Sequence, residues 1–284
     1  MSAPEPMRPV DLSYEDYLKV PELLELQKCL SRPEAHDELQ FIIVHQVYEL
    51  WFKLILHTVD YVVDLLREGG DYEVREATRL LGRVVSIQRV LITQVHVLET
   101  MTPLDFFQFR ENLKPASGFQ SVQFRELEFA LGLKHKVYLD HFGFDEKAKA
   151  RLVRRFEAPS MRDVLYDLLR KRGFDVPSQE VLESEEGRAA LRTELLKIYA
   201  DRRTHDVLYW LCEELVEVDE HLTLWRAHHV RMVERTIGAK TGTGARVTGD
   251  REGARYLKQT LEKKAFPELW DVRTYIDEAP QSRP

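Results

Sequence analysis

Apolar side chains recur every three or four residues along most of this chain, and that spacing predicts a protein built almost entirely of α-helices. Strand signals are scarce, because no Asn-Gly or Asp-Gly pair separates two alternating runs. Helices are predicted at residues 34–66, 72–100, 103–112, 119–132, 145–156, 160–171, 189–200, 204–237 and 253–264. We therefore expect one all-α domain over residues 1–284, with a mobile loop at 239–253 and flexible ends at 1–11 and 279–284.

Residues 41–57, with the sequence FIIVHQVYELWFKLILH, predict a helix with two apolar stripes. The stripes consist of Phe41, His45, Tyr48 and Phe52 and of Ile43, Val47, Leu50 and Leu54. A helix that is apolar on nearly every side is expected to be buried. His45 is unusual there, since burying an imidazole without a partner costs about 1–3 kcal/mol. With Phe41 one turn earlier, it favours the wall of a pocket for a flat ligand; the alternative is a core histidine bonded to a backbone carbonyl.

The predicted helix at 204–237 places a second histidine among apolar neighbours. Its apolar stripe consists of Leu211, Leu215, Val218, Leu222, Trp225, His229, Met232 and Thr236. His228 is turned about 100° away from that stripe. A neutral imidazole in an apolar groove is typical of an axial haem ligand, and a core histidine is again the alternative. The opposite face is predicted to be solvated and carries Glu213, Glu214, Glu217, Asp219 and Glu220.

Composition and charge argue against several classes of function. The net charge of −7 is unfavourable for a general nucleic-acid binder, because phosphate contacts need clustered Lys and Arg. The two cysteines, Cys29 and Cys212, form no disulfide framework and fit a reducing cytoplasm. We find no run of about 18 uncharged apolar residues and no signal-peptide core in MSAPEPMRPV, so no membrane span is expected. Glu217 and His221 are four residues apart, which fails the Glu-x-x-His spacing of a di-iron bundle.

Five segments together resemble the tryptophan 2,3-dioxygenase family. They are LSYEDYL (12–18), FIIVHQVYELWFK (41–53), LETMTPLDFFQFRENLKPASGFQSVQFRELE (98–128), LWRAHHVRMVERTIGAKTGTG (224–244) and FPELWDVRT (266–274). They occur in the family's order from about residue 11 to residue 276. Each short motif alone is weak, but the block around PASGFQSVQFRELE is long and specific.

The resemblance implies an all-α fold that holds heme b and uses O2 as co-substrate. His229 matches the iron ligand, with Trp225 beside it, and would leave the opposite side of the iron open to O2. The haem would be bound non-covalently, because the chain has no CxxCH motif. Ser117 and Gly118 match a turn over the open face of the haem, and a plain turn after Pro115 is the alternative.

The resemblance also implies a set of substrate contacts. His45 matches the catalytic histidine that meets the indole N–H, either as a base or as a positioning group, and Phe41 would pack on the indole plane. Arg110 matches the clamp for the substrate carboxylate, with Phe106 on the same wall; an exposed arginine in a surface ion pair is the alternative. The remaining matches are Thr243, for the ammonium and carboxylate, and Tyr14 and Tyr17, which would reach a neighbouring subunit's pocket unless they only cap a local helix.

The expected activity is opening of the indole C2–C3 bond of L-tryptophan with O2 to give N-formyl-L-kynurenine, by a cytoplasmic homotetramer. The loop after Thr243 departs from the family pattern, because it is longer and has Ala245 in place of a glycine. This departure leaves two alternatives open. One is a haem monooxygenase that converts a substituted, for example methylated, tryptophan to a 2-oxindole. The other is a haem-binding sensor without turnover.

Overall fold

The computed structural model describes residues 12–140, 142, 145–238, 240, 258 and 260–278, and every regular element within them is helical. The α-helices are α1 (Tyr14–Leu18), α2 (Val20–Leu24), α3 (His36–Glu68), α4 (Asp71–Leu98), α5 (Pro103–Phe109), α6 (Val122–Leu131), α7 (Val137–Asp140), α8 (Glu146–Glu157), α9 (Met161–Lys171), α10 (Gln179–Leu182), α11 (Glu185–Ala200), α12 (Asp206–Ile237) and α13 (Pro267–Asp271). Short 3-10 helices cover Arg110–Leu113, Gly118–Gln120 and Val272–Glu278. The all-α prediction is confirmed.

Three long helices form the centre of the bundle, and α4 packs against both α3 and α12. Only two residues join α3 to α4, which makes these helices antiparallel neighbours. Gly69 ends α3 with a φ of 77°, a left-handed conformation that a side chain would strain. The core between the long helices is aliphatic and includes Ile55, Val59, Leu66, Leu81, Val84, Leu211, Leu215 and Val218.

The last predicted helix, at 253–264, does not extend over residues 260–264, which form a turn and an irregular stretch. Lys258 is helical, as predicted, while 253–257 and 259 lie outside the described residues. A side chain of α12, that of Arg226, contacts this segment. Arg226 donates to the carbonyl oxygens of Thr260 and Lys263, at 3.4 and 3.3 Å.

Asp219 corrects the prediction of a fully solvated acidic face on α12. Its side chain is completely buried and accepts hydrogen bonds from the backbone N–H groups of Ala265 and Phe266 and from the indole N–H of Trp270. A buried carboxylate is tolerated when several donors surround it. Helical periodicity could not reveal these donors, because they come from about fifty residues further along the chain.

The second apolar stripe of α3 corrects the prediction that this helix is buried all round. Ile43 and Leu50 are 43% and 51% exposed, whereas Tyr48 and Phe52 on the first stripe are buried. By length and composition alone, α3 is the one described helix that could cross a membrane. Its first stripe packs instead into the helical core, so its second stripe is an apolar surface of this single chain.

Candidate functional site

One end of the bundle encloses a cavity of about 260 Å³ between α3, α5, α6, α12 and the 117–120 turn. Its walls are mostly aromatic or aliphatic, and they include Phe41, Phe52, Phe106, Phe124, Trp225 and Met232. The helical spacing of α3 and α12 turns one histidine from each helix, His45 and His229, into the same space. A flat apolar ligand therefore suits this cavity.

His45 lines the cavity and is also bonded within its own helix. Its Nδ1 lies 2.7 Å from the carbonyl oxygen of Phe41, so Nδ1 carries the proton and donates it, while Nε2 remains an acceptor. Burial lowers the pKa of His45, although the bond to Phe41 and the Glu49 carboxylate act in the opposite direction. The Phe41 ring lies 4.1 Å from the imidazole, centroid to centroid. His45 is thus both carbonyl-bonded and part of a pocket wall.

His229 has a different environment on the opposite wall. Its ring stacks on that of Trp225, with centroids 5.3 Å apart and an interplanar angle of 4°. Burial lowers the pKa of His229 to about 4, and the nearby His45 ring adds to this effect. No side chain or carbonyl of the described chain makes a hydrogen bond to this imidazole, which is therefore neutral at pH 7 and able to act as a ligand.

Arg110 lies at the α5 side of the cavity and is only 9% exposed. Helix α5 begins with a capping box between Thr102 and Asp105 and ends at Phe109, where the chain tightens into the 3-10 turn that carries Arg110. The guanidinium lies 3.6 Å from the Glu111 carboxylate. Burial and position at the cavity argue against the alternative of an ordinary exposed arginine. Phe106 shares this wall, with its ring 5.8 Å from that of Phe41.

The 117–120 turn forms another wall, to which Ser117 and Gly118 both contribute. The Ser117 hydroxyl accepts from the backbone N–H of Phe119, and Gln120 accepts from the N–H of Ser117. A Cβ added at Gly118 would meet nothing within 4 Å. Packing inside this chain therefore does not require glycine there, and the turn leaves open space beside the cavity.

Sequence reasoning missed a buried group of charges on the cavity wall. Arg125 and Arg226 both bond to Glu128, and all three side chains are at most 5% exposed. The two guanidinium groups hold the pKa of the Glu128 carboxyl below its usual range despite its burial. The three-residue spacing of Arg125 and Glu128 on α6 was a usable signal. The contact between Glu128 and Arg226, 98 residues away, could not be predicted from sequence spacing.

Two predicted site residues, Tyr14 and Tyr17, are not among the described residues that line the cavity. Tyr14 and Tyr17 on α1 are 75% and 72% exposed. Thr243, Ala245 and nearly all of the predicted mobile loop at 239–253 lie outside the described residues, as do the predicted flexible ends at 1–11 and 279–284.

The helical bundle and its histidine-walled apolar cavity define a protein built to bind a small, flat molecule. Comparison with known proteins gives the family. The tryptophan 2,3-dioxygenase family model matches residues 2–183 and 180–276. Similar proteins bearing the name tryptophan 2,3-dioxygenase occur in Herpetosiphon aurantiacus (44% identity, covering 92% of this chain and 97% of the relative), Nocardioides sp. (47%, 93% and 95%) and Caulobacter vibrioides (43%, 94% and 99%). The chain belongs to the tryptophan 2,3-dioxygenase family.

Proposed function

We propose that this chain is a haem-dependent oxidoreductase that opens the indole C2–C3 bond of L-tryptophan. Both atoms of one O2 molecule enter the product, N-formyl-L-kynurenine. The observation that carries the proposal is the cavity itself, in which His45, His229 and Arg110 surround an aromatic space in a chain of this family. Each of the three side chains has a separate task in this account.

The donor set of the cavity fits haem. His229 supplies a neutral imidazole to iron, since its pKa is about 4 and its ring has no competing hydrogen bond in the described chain. Trp225 and Met232 offer apolar contact to a porphyrin, and Arg125 on the same wall offers a cation to the acidic groups at its edge. The 117–120 turn, with Ser117 and Gly118, would lie against its open face. Bound haem would supply the activation of O2.

His45 and Phe41 would hold the indole ring. The free Nε2 of His45 can accept a hydrogen bond from the indole N–H, because Nδ1 is committed to the Phe41 carbonyl. Phe41 offers its ring to the indole plane, and Phe106 and Phe109 pack around Phe41 at centroid distances of 5.8 and 5.6 Å. These contacts fix the ring and exclude water from its reacting edge.

Arg110 would bind the carboxylate of the amino acid. A guanidinium presents two parallel N–H donors, and its burial in the cavity wall makes a charge-assisted pair stronger than it would be at the surface. Thr243 is proposed to contact the ammonium and carboxylate. These contacts favour free tryptophan over an indole without the charged end.

We further propose a cytoplasmic homotetramer. The exposed apolar side of α3, with Ile43, Leu50 and Leu54, offers a surface that another copy could cover. The exposed Tyr14 and Tyr17 are then free to reach a neighbouring subunit's pocket. Sedimentation equilibrium of the full chain tests this assembly. A tetramer that dissociates when Leu50 becomes Lys would support it, and a monomer at micromolar concentration would contradict it.

Turnover under labelled dioxygen tests the reaction. The haem-loaded, reduced protein is given 18O2 with L-tryptophan and, separately, with a methylated tryptophan, and products are analysed by mass spectrometry. We expect an opened ring with two labelled oxygen atoms from L-tryptophan. One labelled oxygen in an intact ring, chiefly from the methylated substrate, would instead establish oxindole formation. Haem binding without any product would support the alternative of a haem-binding sensor. The burial of Arg110 in the cavity wall supports a carboxylate clamp, which a haem sensor would not need.

A further inference from the structure

Glu49 is a charged residue of the cavity wall to which the proposed reaction assigns no task. It lies on α3 one turn after His45, on the same side of the helix, and it is half-buried. Among the described residues no Lys or Arg pairs with its carboxylate. A carboxylate in mostly apolar surroundings is retained only where its oxygens have hydrogen-bond donors.

Both oxygens of Glu49 accept hydrogen bonds from the start of α6. The Ser121 hydroxyl donates to Oε1 at 2.6 Å, and the Gln123 amide donates to Oε2 at 2.8 Å. The same Gln123 amide nitrogen also donates to the Glu49 backbone carbonyl at 2.8 Å. Ser121 in turn accepts from the backbone N–H of Phe124 and so caps α6. Glu49 therefore joins α3 to α6 by three contacts between residues more than seventy positions apart.

These contacts fix the end of the turn that carries Ser117, Gly118 and Phe119. That turn enters α6 directly at Ser121, and its own capping bonds make residues 117–120 a compact unit. His45 of α3 lines the same cavity as this turn. Glu49 therefore connects the helix that carries His45 to Ser121, the residue at which the turn ends.

We propose that Glu49 is a positioning residue, which holds the 117–120 turn at a fixed distance from His45 and so sets how tightly an indole ring is enclosed. The inference rests on the proposed function, because that function supplies the ring. Glu49 acts through the turn and needs no contact with the substrate. Loosening the turn should weaken binding of the ring more than it slows the chemistry.

The test uses the haem-loaded full chain with Glu49→Gln, Gln123→Ala and the double variant. Glu49→Gln leaves an acceptor for Ser121 but places an amide N–H against Gln123, and Gln123→Ala removes the donor from the other side. We expect KM, and the calorimetric Kd for L-tryptophan, to rise about tenfold in each single variant, with kcat within about threefold. The effects of the two changes should be less than additive in the double variant, because both remove the bond between the Gln123 amide and the Glu49 carboxylate.

Asp64→Asn is the matched control, since it neutralises an exposed carboxylate on the same helix, paired with Arg67 far along α3 from the cavity residues. It should leave KM and Kd unchanged. Wild-type binding constants in both single variants would overturn the proposal, and so would a lower Tm with unaltered binding. If Glu49→Gln fails to fold, Gln123→Ala reports on the same contact. Failure of the wild-type chain to convert L-tryptophan would contradict the proposed function, whereas normal wild-type turnover with unaltered variants would contradict the role of Glu49 alone.

Discussion

The two histidine walls of the cavity use the same side chain in opposite ways. On α3, His45 donates a hydrogen bond from Nδ1 to the Phe41 carbonyl, and its Nε2 remains an acceptor. On α12, the ring of His229 stacks on Trp225 and makes no hydrogen bond within the described chain. Burial lowers the pKa of both, so both are neutral at pH 7. Hydrogen-bond partners, more than burial, therefore distinguish the two rings, and they support the proposed roles of acceptor for His45 and iron ligand for His229.

Replacing His229 with Ala should have the largest effect of any change to the cavity. Without the imidazole we expect no stoichiometric haem after purification and no turnover, because the iron would lose its protein ligand. The ratio of haem to protein, measured from the Soret band, checks this. His228→Ala is the matched control on the next residue and should retain haem. Full haem retention in His229→Ala would remove His229 from the ligand role.

Arg110 belongs to neither histidine wall, so its loss should leave haem binding intact. Arg110→Ala removes a charge-assisted pair of hydrogen bonds, and we expect kcat/KM for L-tryptophan to fall about 100-fold, mainly through KM. Arg110→Lys should recover only part of this loss, because an ammonium lacks the planar fork. Steady-state kinetics with tryptamine, which has no carboxylate, gives the contrast: there the two variants should equal the wild type. An unchanged KM for L-tryptophan would contradict the clamp.

His45→Ala should differ from His229→Ala, since the His45 variant should keep its haem. We expect kcat/KM for L-tryptophan to fall about tenfold, by the loss of one hydrogen bond from the indole N–H. With 1-methyl-L-tryptophan, which has no indole N–H, the wild type and His45→Ala should differ by less than about threefold. Equal losses on both substrates would mean that His45 only fills space beside Phe41.

Burial of His229 should make the haem-free protein less stable in acid, which is the smallest of the expected effects. The pKa of His229 is about 4 in the folded chain, against about 6.5 when unfolded. Between these pH values His229 is protonated in the unfolded chain but not in the folded chain. The free energy of unfolding therefore falls as the pH drops below about 6.5. Urea unfolding at pH 7 and pH 5 should show this loss, and His229→Leu should reduce it. An acid sensitivity that is unaltered in His229→Leu would contradict the assigned burial.

Sequence periodicity was sufficient where a residue's partners lie on its own helix or follow from an apolar stripe. It predicted the long helices and the inward position of His45 and His229, because both follow from the 3.6-residue repeat. It failed for Asp219 and for the buried Arg226–Glu128 pair, whose partners lie far along the chain. Periodicity also wrongly predicted that Leu50 is buried. An apolar stripe indicates a surface that packs against something, but it does not show whether the partner is the same chain or another one.

A crystal structure of the haem-loaded protein with L-tryptophan would show whether the two histidines have the proposed roles. We expect iron bound to the imidazole of His229, the indole N–H within hydrogen-bond distance of Nε2 of His45, and the carboxylate on Arg110. Iron bound to His45, or an indole ring outside the space between Phe41 and the 117–120 turn, would contradict the division of tasks between the two walls.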